Sequence, residues 1–200
     1  MLDPVGSTSW HNRHISVFRE LNEILLREGP PRPVVMIIGP GGVTTLTQGL
    51  LNDSAASAGP LRKLVGDLAR YSDQVLRRVP MLPLVSLEPL ELHRALTMPH
   101  ELVVVDRSAR VLRGVERAVP EARCHCADIE ISTVPETADA VVAFNVICRL
   151  ENPGAGMEHL AQAVRPGGWL LMDDRSAQEY LGLHPQFSRV GWKIHRRAAG

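Results

Sequence analysis

Five consecutive apolar residues, Val34-Val35-Met36-Ile37-Ile38, run straight into Gly39-Pro40-Gly41-Gly42-Val43-Thr44-Thr45. This junction constrains the fold more than any other stretch of the chain. An unbroken apolar run of that length suits a strand buried on both faces, as in a parallel sheet. The glycines that follow permit a tight turn and let backbone approach another group closely. A helix starting near Thr44 would aim its free N–H groups back at that turn and favour polar or anionic groups there. A tight turn with a purely structural role has the same composition, so the neighbouring segments decide its meaning.

Upstream, Ile15, Phe18, Leu21 and Leu25 recur at helical spacing, with Val17 and Ile24 widening the stripe. This predicts an amphipathic helix from about Ser9 to Arg27, stopped by Gly29-Pro30-Pro31. His11 and His14 precede or open this helix; they could line a substrate pocket, but a place in solvent is the expected one. Downstream, Thr44–Leu51 reads as the start of a crossover helix, Asn52–Pro60 as a loop, and Leu61–Val79 and Glu88–Thr97 as further helices. The second buried strand is Leu102–Val105, ending in Asp106. A helix follows from Ser108, a residue suited to the N-cap, to Val119. Its Arg110, Arg113 and Arg117 read as a solvated face. Ala122–Ala127 is a short third strand and Ala140–Phe144 a fourth, introduced by Asp139. A helix beginning at Asn152-Pro153 leads through the sharp turn Arg165-Pro166-Gly167-Gly168 into a fifth strand, Trp169–Met172. A short helix near Ala177–Leu183 precedes a tail, Phe187–Arg197, with at least one terminal strand. Strands alternating with helices predict an α/β fold, doubly wound around a mainly parallel sheet.

The 200 residues fit one domain, 1–200, with an N-terminal helical segment over 1–33 and a helical insertion over 52–99. Composition excludes several classes of function. With 22 basic and 22 acidic residues the net charge is +0, and aromatics are 4%, which disfavours general nucleic-acid binding. No apolar run reaches the roughly 18 residues of a membrane span. Met1–Trp10 lacks the charged and apolar regions of a signal peptide. Three cysteines without a disulfide spacing suit a reducing compartment, so the expected location is cytoplasmic. Cys124-His125-Cys126 lacks the second ligand pair that a tetrahedral zinc site needs, so no metal is expected.

In sheets of this kind ligands sit outside the carboxyl ends of the strands, near the switch in strand order. Gly39, Gly41 and Gly42 follow strand one, Asp106 ends strand two, and Asp128-Ile129 follows strand three. With these come Val103-Val104-Val105-Asp106-Arg107-Ser108, Ala127-Asp128-Ile129-Glu130, Asp139-Ala140-Val141-Val142-Ala143-Phe144-Asn145-Val146 and Leu160–Leu171 with its Arg165-Pro166-Gly167-Gly168 turn. Taken in order, they resemble the class I S-adenosylmethionine (SAM)-dependent methyltransferases, whose fold is Rossmann-like. The resemblance runs from about Val34 to Asp174, interrupted by the insertion. It implies a cofactor-binding set of Gly39, Pro40, Gly41, Gly42, Asp106, Arg107, Asp128, Ile129, Phe144 and Asn145. Gly39 and Gly41 would approach the amino-acid and ribose portion, and Asp106 would hold the ribose hydroxyls. Asp128 would hold the adenine amino group, Ile129 would pack on the ring, and Phe144 and Asn145 would line the reactive end.

Two positions depart from the family pattern. The acidic residue usual two places before the first glycine is Ile37, and the third glycine is Val43. Losing one charge-assisted contact costs about 1.5–3 kcal/mol, roughly tenfold to more than a hundredfold in affinity. The tail also looks short for the family's usual pair of terminal strands. The resemblance implies SAM as cofactor and methyl transfer, with a small molecule as the expected acceptor. No Asp-Pro-Pro-Tyr-like motif follows strand four, which disfavours methylation of nucleic-acid bases. No catalytic residue stands out, and the oligomeric state is open. Two alternatives come from other classes. One is a non-catalytic binding or interaction protein of this fold, favoured by Ile37, Val43 and the insertion. The other is a nicotinamide-dependent oxidoreductase, disfavoured because Gly39 and Asp106 lie far beyond the roughly 20 residues its motif expects.

Overall fold

The Val34–Ile38 run forms the central strand, β1, of a seven-stranded sheet. The computed structural model describes residues 8–44, 79, 83–173, 175, 179–181, 184–191 and 193–199. Helix α1 (Thr8–Glu28) precedes β1. After it come β2 (Val43–Thr44), β3 (Leu84–Val85), α2 (Glu88–Ala95), β4 (Glu101–Asp106), α3 (Ala109–Ala118), β5 (Arg123–Cys126) and β6 (Ala138–Ala143). A 3-10 turn (Ile147–Arg149), α4 (Pro153–Ala163), β7 (Val164–Met172), β8 (Phe187–Gly191) and β9 (Ile194–Arg197) complete the order. The sheet runs β5-β4-β1-β6-β7-β9-β8, parallel from β5 to β7, with β9 antiparallel to β7 and β8 antiparallel to β9. The expected α/β class and mainly parallel sheet are therefore present.

Alternation along the central strands explains why the sheet is covered twice. Val35 and Ile37 join Leu102, Val104, Val142, Trp169 and Leu171 in one core, with Val17, Phe18, Leu21 and Leu25 of α1, Leu92 of α2 and Val115 of α3. Met36 and Ile38 face the other way, with Val103, Val105, Val141, Leu170 and Met172, against Met157 and Leu160 of α4. Helix α1 runs against the direction of the strands. Its last residue Glu28 pairs with Arg196 at 2.8 Å, while His14, two turns from its start, reaches Phe144 just past the end of β6.

Several expectations shift. The crossover helix expected from Thr44 does not begin there, because Val43–Thr44 is an extended strand paired antiparallel with Leu84–Val85. β-branched Val43 and Thr44 favour that geometry over a helix start. The expected helix at Leu61–Val79 and the rest of Thr44–Leu51 lie outside the described residues, Val79 excepted. Arg165–Gly168 is not a free turn but the bulged first half of β7, since β6 pairs from Ala138 onward. The tail is long enough after all for both terminal strands, turning at Lys193 with φ 63°. Among the described residues no helix is long and apolar enough to cross a membrane.

Asp139 ties the amino edge of the sheet together. Its carboxylate accepts the Val34 N–H at 2.8 Å and the Arg165 guanidinium at 2.9 and 3.0 Å. The bulge beside it leaves no space at Gly168, where a Cβ would stand 2.6 Å from the Asp139 carbonyl oxygen and 2.9 Å from that of Arg165. We therefore expect Gly168→Ala to destabilise the chain by about 2 kcal/mol, lowering Tm by roughly 4–8 °C in a thermal melt. At Gly167, which has φ 78° but open space around its Cβ position, the same change should cost only the left-handed backbone penalty of about 1 kcal/mol.

Candidate functional site

The chain passes from β1 outward to β4 and β5, then returns to β6 on the other side of β1. The switch in strand order thus lies at β1, and the crevice above it is where the site residues should gather. Gly39 and Gly41 carry φ of 59° and 62°, the left-handed region that glycine tolerates without a Cβ penalty. Gly39 is held down by its N–H bond to the Val105 carbonyl at 2.8 Å and packs on Val146. At Gly41 an added Cβ would meet nothing within 4 Å, so this part of the loop borders open space.

Asp106, 9% exposed, stands beside that loop at the end of β4. Its Oδ1 accepts the Ser108 N–H at 2.8 Å, and the carboxylate also accepts the Gly41 N–H. Burial raises its pKa above the usual aspartate range, against the pull of those two bonds and of the Arg107 charge. A carboxylate offers about four acceptor positions. Ser108 and Gly41 use two and leave two, enough for a pair of vicinal hydroxyls.

The neighbouring β4 and β5 ends enclose an open cleft of about 590 Å³ lined by Arg107, Ser108, Cys126, Ala127 and Asp128. Asp128 turns one oxygen to the Glu130 N–H at 3.0 Å and lies 3.9 Å from the exposed Arg107 guanidinium. Such an exposed pair adds little stability. Ile129 is 5% exposed and packs into the core beneath α4, so it lies deeper than a residue meant to cover a flat ring. Pro40 is half-buried and Gly42 buried.

Phe144 and Asn145 follow β6. Asn145 takes φ 55° and donates its N–H to Asp173 at 3.1 Å. Phe144 does not open toward the Asp128 cleft; it is 5% exposed and turned toward α1, its ring 4.2 Å from that of His14 and 6.2 Å from Phe18. Lys193 Nζ lies 5.7 Å from its centroid. His14, expected in solvent, is instead 3% exposed, with Nδ1 3.5 Å from Glu88 Oε1. The side chain of His11 lies outside what the structure describes.

Sequence reasoning did not single out Ser108 as a partner of Asp106, although an Asp-x-Ser turn carries that signal. It also missed Cys126 and Ala127 as cleft walls. Ser86, Glu88 and Glu91 had no sequence signal, because only the β2–β3 pairing brings them to the carboxyl edge. Cys124 faces the core, and burial pushes its thiol up to about 11, so it stays protonated at neutral pH. His125, on the opposite face of β5, pairs with Glu136 at 2.8 Å. Arg113 and Arg117 are exposed as expected of a solvated face, and Arg117 also reaches the Leu84 carbonyl at 3.4 Å.

Glu91 gives this region a pH dependence. Burial, with the charge of Glu88 adding to it and Arg94 opposing, pushes its carboxyl up to about 7 from 4.5. A folded-state pKa above the unfolded one means stability is fully present below about 4.5 and is lost as pH rises toward 7. Glu91→Gln should therefore raise Tm at pH 8 and leave it nearly unchanged at pH 4.5, as thermal melts at the two pH values would read.

Comparison with known proteins bears on the fold that carries these residues. Residues 87–172 match the family model described as a methyltransferase domain. The N-methyltransferase NodS from Bradyrhizobium japonicum WM9 shares the fold. One crystal structure of it superposes with a TM-score of 0.55 at 12% identity, covering 98% of this chain and 100% of that one. Its complex with S-adenosyl-L-homocysteine (SAH) gives a TM-score of 0.51 at 15% identity, covering 95% and 87%. No curated protein matches the sequence. The chain thus shares the Rossmann-like fold of the N-methyltransferase NodS, and its residues 87–172 match the model of a methyltransferase domain.

Proposed function

We propose that this protein binds SAM above β1 and β4 and transfers its methyl group to a small-molecule acceptor. The observation that carries the reading is Asp106, a buried carboxylate fixed by Ser108 and Gly41 with two acceptor positions left over, beside a cleft of a size suited to a nucleoside. The residues fit the nucleoside half of the cofactor well. Asp106 would accept the ribose hydroxyls, Asp128 the adenine amino group, and the open backbone at Gly41 would let the ribose approach. The fit at the amino-acid end rests on fewer groups, since Ile37 is 1% exposed within the core and the residues after Gly42 start as a strand.

When bound, the sulfonium supplies an activated methyl group, so the protein's task is alignment more than acid–base chemistry. Asn145 would border the crevice at the β6 end, with Phe144 turned away toward α1. The fixed φ of Asn145 and its bond to Asp173 keep that border in place. NodS, of the same fold, is described as an N-methyltransferase and was crystallised with SAH.

A second reading, a methyltransferase-fold binding protein without turnover, is favoured by buried Ile37 and extended Val43–Thr44. Calorimetric titration with SAM and SAH separates the two in steps. Binding by the wild type, weakened at least tenfold in Asp106→Asn with Tm little changed, is the expected result. Absence of heat at millimolar ligand would overturn the cofactor reading. Binding without methyl transfer to any amine, hydroxyl or thiol acceptor in a broad screen would favour the second.

A further inference from the structure

Helix α4 reaches across to the loop that carries Asp128. His159, half-buried and midway along the helix, bonds through Nδ1 to the Ile129 carbonyl at 2.6 Å. A carbonyl only accepts, so Nδ1 carries the proton and donates it. Asn152, the N-cap of the same helix, donates its N–H to Glu130 Oε1 at 2.6 Å. Between these two contacts the Ile129 side chain, 5% exposed, joins the core that holds Met157 and Leu160 of α4.

The histidine acts on Asp128 through one peptide unit. The Ile129 C=O and the Glu130 N–H belong to the same planar trans amide, so they point opposite ways. His159 holds the carbonyl end, and the N–H end bonds to Asp128 Oδ1 at 3.0 Å. Rotating that amide would break both bonds together. The Asp128 carbonyl accepts the Ile131 and Ser132 N–H groups at 3.0 and 3.1 Å, which fixes the backbone of the turn but not the carboxylate. With Oδ1 held, Oδ2 lies 3.9 Å from the Arg107 guanidinium, and both residues line the 590 Å³ cleft.

We propose that His159 is a positioning residue for Asp128, through which α4 sets how strongly the cleft reads the 6-amino group of a purine. A carboxylate only accepts hydrogen bonds, so an Oδ2 held in place takes an amino N–H and gains nothing from a purine that lacks one. Released from the amide, the carboxylate turns freely and the discrimination fades, because hydrogen bonds weaken steeply with misalignment. This rests on the SAM-site reading above and adds to it the residue that aims the base-reading group.

The test is calorimetric titration of the full chain with SAH and with its analogue carrying hydrogen in place of the adenine amino group. Wild type is compared with Asp128→Asn, His159→Leu and His159→Asn, the last keeping an N–H donor where Nδ1 stands. Wild type should bind SAH roughly tenfold or more tightly than the analogue. Asp128→Asn and His159→Leu should each cut that ratio to about threefold or less by weakening SAH alone, and His159→Asn should keep it. Loss of packing alone would weaken both ligands alike and leave the ratio standing. In the ligand-free chain, hydrogen exchange followed by NMR should find the Glu130 amide severalfold faster in His159→Leu than in wild type or His159→Asn. A ratio unchanged in His159→Leu or in Asp128→Asn, a ratio lost in His159→Asn as well, or unchanged Glu130 exchange would overturn the proposal. If His159→Leu does not fold, His159→Ala is read by the same ratio and the same amide. SAH binding with the ratio unaltered in the variants sinks only this inference. Absence of SAH binding sinks the cofactor reading, and Glu130 exchange then decides whether His159 aims Asp128.

Discussion

Strand β1 is hydrogen-bonded along both edges, to β4 and β6, and both of its faces are buried. A strand held on four sides can leave the sheet only at its end, and the chain must turn there in very little space. Gly39 and Gly41 make that turn in left-handed geometry, while the Gly39 N–H extends the pairing to Val105 by one more bond. Asp106 then links the loop to the start of α3 through Gly41 and Ser108. The position of the glycine loop, the orientation of the carboxylate and the mouth of the neighbouring cleft all follow from this one constraint.

The carboxyl edge concentrates groups that stability alone would not choose. Asp106 is buried at the cost of a raised pKa, Asn145 holds a left-handed backbone, and Ser86 Oγ is buried without a hydrogen bond. At the amino edge the opposite holds: Asp139 is fully engaged with Val34 and Arg165, and Arg123 on β5 is bonded by both Glu101 and Glu136. Local rules broken at one end of a sheet and obeyed at the other are what a binding site built on a stable frame produces. The long excursion between β2 and β3 starts and ends at the broken end.

Much of the frame could be read from residue patterns. The unbroken apolar runs at Val34–Ile38 and Leu102–Val105 mark strands buried on both faces, and the helical stripe from Ile15 to Leu25 marks α1. Ser108 as an N-cap is visible because its side chain has one obvious job there, accepting the Val111 N–H. Reading failed where one local signal had two outcomes. Val43-Thr44 after glycines could open a helix or extend as a strand, and the distant partner Leu84-Val85 decided. Arg165–Gly168 has turn composition and is looped out between the paired Val164 and Trp169, yet it stays on the sheet as a bulge because Asp139 anchors Arg165. His14 was placed in solvent because a histidine near a helix start carries no sign of what will cover it.

Residue order alone determined the alternation of strands and helices, the glycine turn and the acids at the ends of strands two and three. These depend on neighbours within a few positions, where steric preference and hydrophobic period are decisive. Tertiary structure decided which of those acids is buried, which way Phe144 faces, and that Glu88 stands beside His14. Those facts depend on contacts between residues more than 50 positions apart. No local preference encodes them, because each becomes favourable only after β1 has been enclosed by β4 and β6.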